Sequence, residues 1–222
     1  MGFSEELKKE NIKTWTAILH HPFIQELGEA SLPIDKFVYY LKQDYRYLIE
    51  FSRCLGLATA KSRNIQTMRK WAQMMEGCLR YETEMIEKVS KSLGIPVEEL
   101  GNTRIAPSNM AYVNHLLRVA YEGSVAENVT ALLPCMWTYM DVGSVLSEIG
   151  GYKEHRVYEN WCNTYNAPEY ADLVQIYKDV VDDTAETSGG PIKNRMRRVF
   201  QISMRYEYMF WDMAYKLEEW SI

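Results

Sequence analysis

The stretch LLPCMWTY, Leu132 to Tyr139, decides how the chain is read. Positions 125, 128, 132, 135, 139, 142, 146 and 149 hold Val, Asn, Leu, Cys, Tyr, Val, Leu and Ile. Steps of three and four residues place these side chains on one helix face, with the Cys135 thiol and the Tyr139 phenol one turn apart. Pro134 cannot donate to the helix ladder, so the Thr130 carbonyl loses its partner and a kink beside the thiol is expected. Free cysteine is also a common core residue, so an inert buried thiol is the alternative for Cys135. The choice depends on what faces it.

Working outward, nearly every segment reads as helix. One amphipathic helix is expected over 4–19, ending at His20-His21-Pro22, followed by a linker containing Gly28 and Pro33. Long helices are expected over 34–61 and 65–93, the second closed by Gly94. Residues 96–107 are the least regular, with one short turn at 97–100. Helix resumes from Ser108, read as an N-cap, to about Tyr121. The LLPCMWTY helix follows Gly123 and closes at Gly150-Gly151. Helices over 153–164 and 168–186 come next, SGGP at 188–191 breaks the chain, and a last helix covers 192–219. No strand-like alternation, internal repeat or low-complexity linker is visible, so one all-α domain over residues 1–222 is predicted.

Composition narrows the function classes. The 222 residues are 47% hydrophobic and 25% charged, enough for a substantial core, with 16 Tyr as the unusual count. A net charge of -5 gives no basic surface for nucleic acid or anionic lipid. The cysteines at 54, 78, 135 and 162 form no CxxC and no zinc-like group, which suits a reducing, cytoplasmic setting. The opening MGFSEELKKE has no apolar signal core, and Glu6 breaks the myristoylation pattern. No apolar run of membrane-spanning length is expected.

Two apolar seams carry a carboxylate. Phe37, Leu41, Asp44, Leu48, Phe51, Leu55 and Ala58 form one, and Tyr40 and Tyr47 flank Asp44 at spacings that let both lie over it. Phe200, Ser203, Glu207, Phe210, Ala214 and Leu217 form the other. A charge on a buried seam is costly unless it is hydrogen-bonded, paired or functional. The structural alternatives are a cap or a buried Arg for Asp44, and Arg205 or a distant Arg for Glu207. Two such carboxylates and a thiol on a third seam point to one site of convergent titratable groups. Tyr112 and Tyr165 are further candidates to reach it. No HxxxH or ExxH pair occurs among the four His, so no metal site is expected, and no GxGxxG or GxxxxGK[ST] loop is present.

These residues resemble the thiaminase II (TenA) family over essentially the whole chain. The matching pieces are HPFIQELGEASLPIDKF at 21–37, QDYRYL at 43–48, ALLPCMWTY at 131–139, WCNTY at 161–165 and YEYMFWDMAY at 206–215. The resemblance implies an all-α, haem-oxygenase-like helical bundle, usually a homotetramer, with no dissociable cofactor. It implies an aminopyrimidine aminohydrolase of thiamine salvage. Such an enzyme hydrolyses 4-amino-5-aminomethyl-2-methylpyrimidine to the hydroxymethyl pyrimidine and ammonia, and can also cleave thiamine.

Carried over by position, Cys135 is the implied nucleophile and Glu207 the acid/base. Asp44 binds the pyrimidine's amino edge, and Tyr47, Tyr139 and Tyr165 line the pocket, Tyr47 also activating the thiol. Tyr112 matches a ring-stacking position. Two nearby carboxylates raise a thiol's pKa, so Cys135 is expected to ionise only with substrate bound, assisted by a tyrosine hydroxyl. The rival readings are a non-catalytic binder of a planar ligand such as haem, with His20 or His21 as axial ligand, and a regulatory helical protein.

Overall fold

The computed structural model describes residues 2–221, so the first and last residues of the expected 1–222 domain lie outside it. Its centre is α9, Val125–Ile149, in which every residue from Ala126 to Tyr139 is buried. A helix apolar all round has to be surrounded, and α9 is packed by the helices before and after it in the chain. These are α2 (Ile12–Leu19), α3 (Pro22–Gly28), α4 (Ile34–Lys61), α8 (Pro107–Glu122), α10 (Arg156–Tyr165), α11 (Pro168–Glu186) and α12 (Gly190–Lys216). The shell is completed by α1 (Phe3–Glu10), α5 (Ile65–Gly77), α6 (Thr83–Ser92) and α7 (Val97–Asn102). No strand occurs among the described residues.

The start and stop of α9 follow from local chemistry. The Ser124 hydroxyl accepts from the Glu127 N–H while the Glu127 carboxylate accepts from the Ser124 N–H, a reciprocal capping box. Gly150 ends the helix in the left-handed region at φ 76°, where a Cβ would be strained. Pro134 lies inside the helix, which continues through it. By length and composition α9 does reach membrane-spanning size, contrary to the expectation above, and most of its apolar window is buried within the protein.

Several expected boundaries move, each for a local reason. The first helix divides at Asn11, whose amide donates to the Leu7 carbonyl and stops the turn. The Gly28 linker contains α3, started by Pro22 and by His21 Nδ1 accepting from the Phe23 N–H. Ser108 is not an N-cap. Pro107 opens α8, and the Ser108 N–H and hydroxyl both donate to Glu218 from beyond the end of α12. The last helix stops at Lys216, with Leu217 left-handed at φ 53°, so Leu217 leaves the seam.

The long helix expected over 65–93 is interrupted by a π turn, Cys78–Glu82, between α5 and α6. Its buried face explains why. Trp71, Met74, Cys78, Glu82, Ile86 and Val89 all point inward. Three consecutive steps of four overrun three turns of 3.6 residues by about one residue. A wide π turn absorbs that residue, and such turns collect at functional sites.

Candidate active site

The α4 seam is buried throughout, and Asp44 sits within it at 4% exposure. Glu207 sits within the α12 seam at 2% exposure. Neither carboxylate has an Arg or Lys partner among the described residues, and Arg205 is exposed. Their bonds are to hydroxyls. Tyr40 donates to Asp44 Oδ2 at 3.0 Å, and the Tyr139 hydroxyl lies 3.0 Å from Tyr40 Oη. Tyr112 donates to Glu207 Oε1 at 2.5 Å, and Thr138 Oγ1 reaches Oε2 at 3.5 Å. Burial without a counter-charge pushes Asp44 up to about 7 and Glu207 up to about 8. Glu207 is therefore an acid at rest, able to give a proton near neutral pH.

Cys135 is also buried, at 7% exposure. Burial raises its thiol well above the ordinary range, and Glu207, Glu82 and Asp44 raise it further. The Tyr47 hydroxyl is the neighbour whose influence acts in the opposite direction, lowering it. That hydroxyl is sealed from solvent, and no protein group is placed for a regular hydrogen bond to it. A buried phenol lacking a partner costs about 1–3 kcal/mol, and the thiolate or a ligand can satisfy it. The Tyr47 hydroxyl makes no bond to Asp44, over which its spacing would let it lie. Tyr40 alone bonds Asp44, and the Tyr47 ring meets Tyr112 at 5.1 Å instead.

The remaining candidates converge on the same region. The Tyr139 ring is 5.0 Å from that of Tyr165, and both meet Trp161. Gly143 makes this possible: a Cβ there would lie 3.0 Å from the Tyr165 carbonyl oxygen, so only a bare Cα lets the end of α10 approach α9 this closely. Tyr112 enters as the partner of Glu207, its ring stacked on Tyr206 at 5.3 Å and 13°. Asp44, Glu82, Cys135, Tyr139 and Tyr170 each keep 4–7% exposure, while Tyr40 is fully sealed.

Glu82 was missed in the sequence, although its seam carries the same signal as the other two: one carboxylate among apolar residues at helical spacing. The three 4-residue steps blur that stripe. His20 is exposed, with Nδ1 on the Thr16 carbonyl, and His21 caps α3 beside Asp212, so neither is presented to the site. Among the described residues, no group of three His, Cys, Asp or Glu could hold a metal ion.

The class of protein is thus an all-α bundle with an enclosed site in which a thiol and acids near neutrality face a wall of phenols and indoles. Solved structures share the architecture. A TenA homologue from P. horikoshii superposes with a TM-score of 0.90 at 29% identity, covering 97% of this chain and 99% of that one. A domain with a heme oxygenase-like fold from Shewanella denitrificans has a TM-score of 0.78 at 13% identity, covering 96% and 92%. The aminopyrimidine aminohydrolase of Halalkalibacterium halodurans is 34% identical over 221 residues, 100% of this chain and 99% of that protein. The profile of the TENA/THI-4/PQQC family matches residues 9–217. The chain belongs to that family, and it is a hydrolase.

Proposed function

We propose that this hydrolase is an aminopyrimidine aminohydrolase of thiamine salvage working through covalent cysteine catalysis. The observation that carries the reading is the Cys135 thiol set among a resting acid, Glu207, and a partnerless phenol, Tyr47. Direct displacement by water at the methylene of an aromatic ring is slow, and a nucleophile that breaks the aromaticity divides the step in two. As the sulfur bonds to the ring carbon beside the one bearing the methylene, Glu207 gives its proton to the ring nitrogen and takes the thiol's. The ring electron pair then forms an exocyclic double bond. The carbon–nitrogen bond to the leaving ammonium breaks, and its pair departs with the nitrogen as ammonia. Water bonds to the methylene, with its proton taken up by the departing amine. The sulfur–carbon bond breaks and the ring proton returns to sulfur. Asp44 accepts from the ring amino group, while Tyr139 and Tyr165 wall the ring. Tyr112 holds Glu207 in place.

The same chemistry extends to thiamine, whose thiazolium is the leaving group on the same methylene. The test is to incubate the wild type and Cys135→Ser with the aminomethyl pyrimidine and assay ammonia and hydroxymethyl pyrimidine. Wild-type turnover that falls by orders of magnitude in the variant is expected. Equal turnover in both sinks the covalent route, and no turnover in either sinks the substrate. A cytoplasmic homotetramer, one domain over residues 1–222, belongs to the same proposal. The compartment is supported by four buried, unbridged cysteines and the tetramer by the family resemblance alone, and light scattering reads the tetramer directly. A net charge of -5 gives no reason to propose a nucleic-acid or lipid partner.

A further inference from the structure

Glu82 is a third buried carboxyl that the mechanism above does not use. It lies on the π turn at 5% exposure, and its Oε1 is sealed from solvent with no hydrogen-bond donor. No cation pairs with it among the described residues. A buried carboxyl in that condition stays protonated unless a charge from outside the protein completes it. Its position says what that is. The π turn packs against α4, which carries Asp44 and Tyr47, and α6 packs against α10, which carries Tyr165. Cys135, Tyr165, Tyr170 and Tyr177 all lie within reach of its charge, which raises each of them. Exposed Leu79 and Tyr81 on the same turn show that the turn aims Cys78 and Glu82 inward.

The site therefore holds three carboxyls and, among the described residues, no protein cation bonded to any of them. Asp44 is bonded by Tyr40 and Glu207 by Tyr112, which leaves Glu82 alone with an unbonded oxygen. On the reading proposed above, an alkylamine leaving group enters as an ammonium ion, with three N–H donors and one positive charge. We infer that Glu82 is a substrate-binding residue that receives the cationic leaving group, so that the site selects pyrimidines bearing a positive charge on the methylene substituent. In the empty site, burial and Asp44 hold its carboxyl up at about 8, and an adjacent ammonium supplies the charge that allows it to ionise. The same contact serves a thiazolium, which has charge but no N–H.

The inference is tested by binding, apart from turnover. Calorimetry on Cys135→Ser measures the dissociation constants of the aminomethyl pyrimidine, a cation, and of the hydroxymethyl pyrimidine, which is neutral. The expected result is at least a 10-fold preference for the cation. Adding Glu82→Gln should reduce that preference to about 2-fold or less, leave the neutral ligand's affinity within about 2-fold, and be partly reversed by Glu82→Asp. An unchanged preference, or equal weakening of both ligands, overturns the role. Glu82→Leu repeats the measurement if the amide variant loses its near-UV dichroism. Binding of neither ligand to Cys135→Ser overturns the aminopyrimidine reading itself, whereas binding of both without preference overturns Glu82 alone.

Discussion

Glu207→Gln separates the energetic cost of the acid from its use. The carboxyl moves from 4.5 to about 8 on folding, because burial, with a smaller contribution from Asp44, disfavours its charged form more than Tyr112 and Thr138 favour it. A folded-state value above the unfolded one means that the native protein holds the proton across that window. Stability then falls as pH rises from about 4.5, and the loss is complete above about 8. A shift of about 3.5 units at 1.36 kcal/mol each corresponds to about 5 kcal/mol. The amide introduced by the substitution keeps the shape and the Tyr112 bond but cannot ionise. Urea unfolding at pH 5, 7 and 9 should therefore show the variant near the wild type at pH 5 and progressively more stable above it, by up to about 5 kcal/mol at pH 9. Its hydrolysis rate should fall by roughly 100-fold or more. A stability difference that does not change with pH, or a wild type that gains on the variant as pH rises, would falsify the assignment of Glu207 as a neutral acid.

Other substitutions probe single contacts. Tyr47→Phe removes a sealed hydroxyl without a regular partner, so stability should hold or rise by about 1 kcal/mol while kcat falls by roughly 100-fold; denaturation and steady-state kinetics on one preparation check both. Tyr40→Phe takes away the hydrogen bond that lowers Asp44. The acidic limb of the pH–rate profile should then move to higher pH, and a limb that stays put would separate Asp44 from the reaction. Gly143→Ala gains up to about 1 kcal/mol of helix propensity but pushes a methyl against the Tyr165 carbonyl, so the net effect should be a loss of about 1–3 kcal/mol. A raised melting temperature would show that α10 does not approach that closely.

The seams of α4, α9 and α12 were legible because burial on one face imposes three- and four-residue steps, and Asp44, Cys135 and Glu207 broke those seams in chemically distinctive ways. What the residues do to each other was not legible. That Tyr112 donates to Glu207, and that Tyr139 meets Asp44 only through Tyr40, depends on how helices far apart in sequence are rotated against one another. Local spacing left both Tyr40 and Tyr47 able to lie over Asp44, because one helix offers two neighbours at three and four residues, and the partner across the bundle selects between them. The breaks at Asn11 and after Lys216 were hidden for the converse reason: one side-chain bond or one left-handed residue outweighs a continuing pattern. Glu82 was obscured by the overrun that its own π turn accommodates.

The central place of α9 also bears on how the chain reaches this state during synthesis. Its covering is shared by α2, α3, α4 and α8, made before it, and α10, α11 and α12, made after it. A nascent chain that has just released Ile149 therefore carries an apolar helix of bilayer-spanning length with half its jacket missing. Until α12 arrives, the thiol has neither its acid nor its seal, and the sulfur is open to oxidants and to non-native partners. Premature termination within α12 should thus give an aggregating species with an accessible Cys135, rather than a folded enzyme that merely lacks an acid.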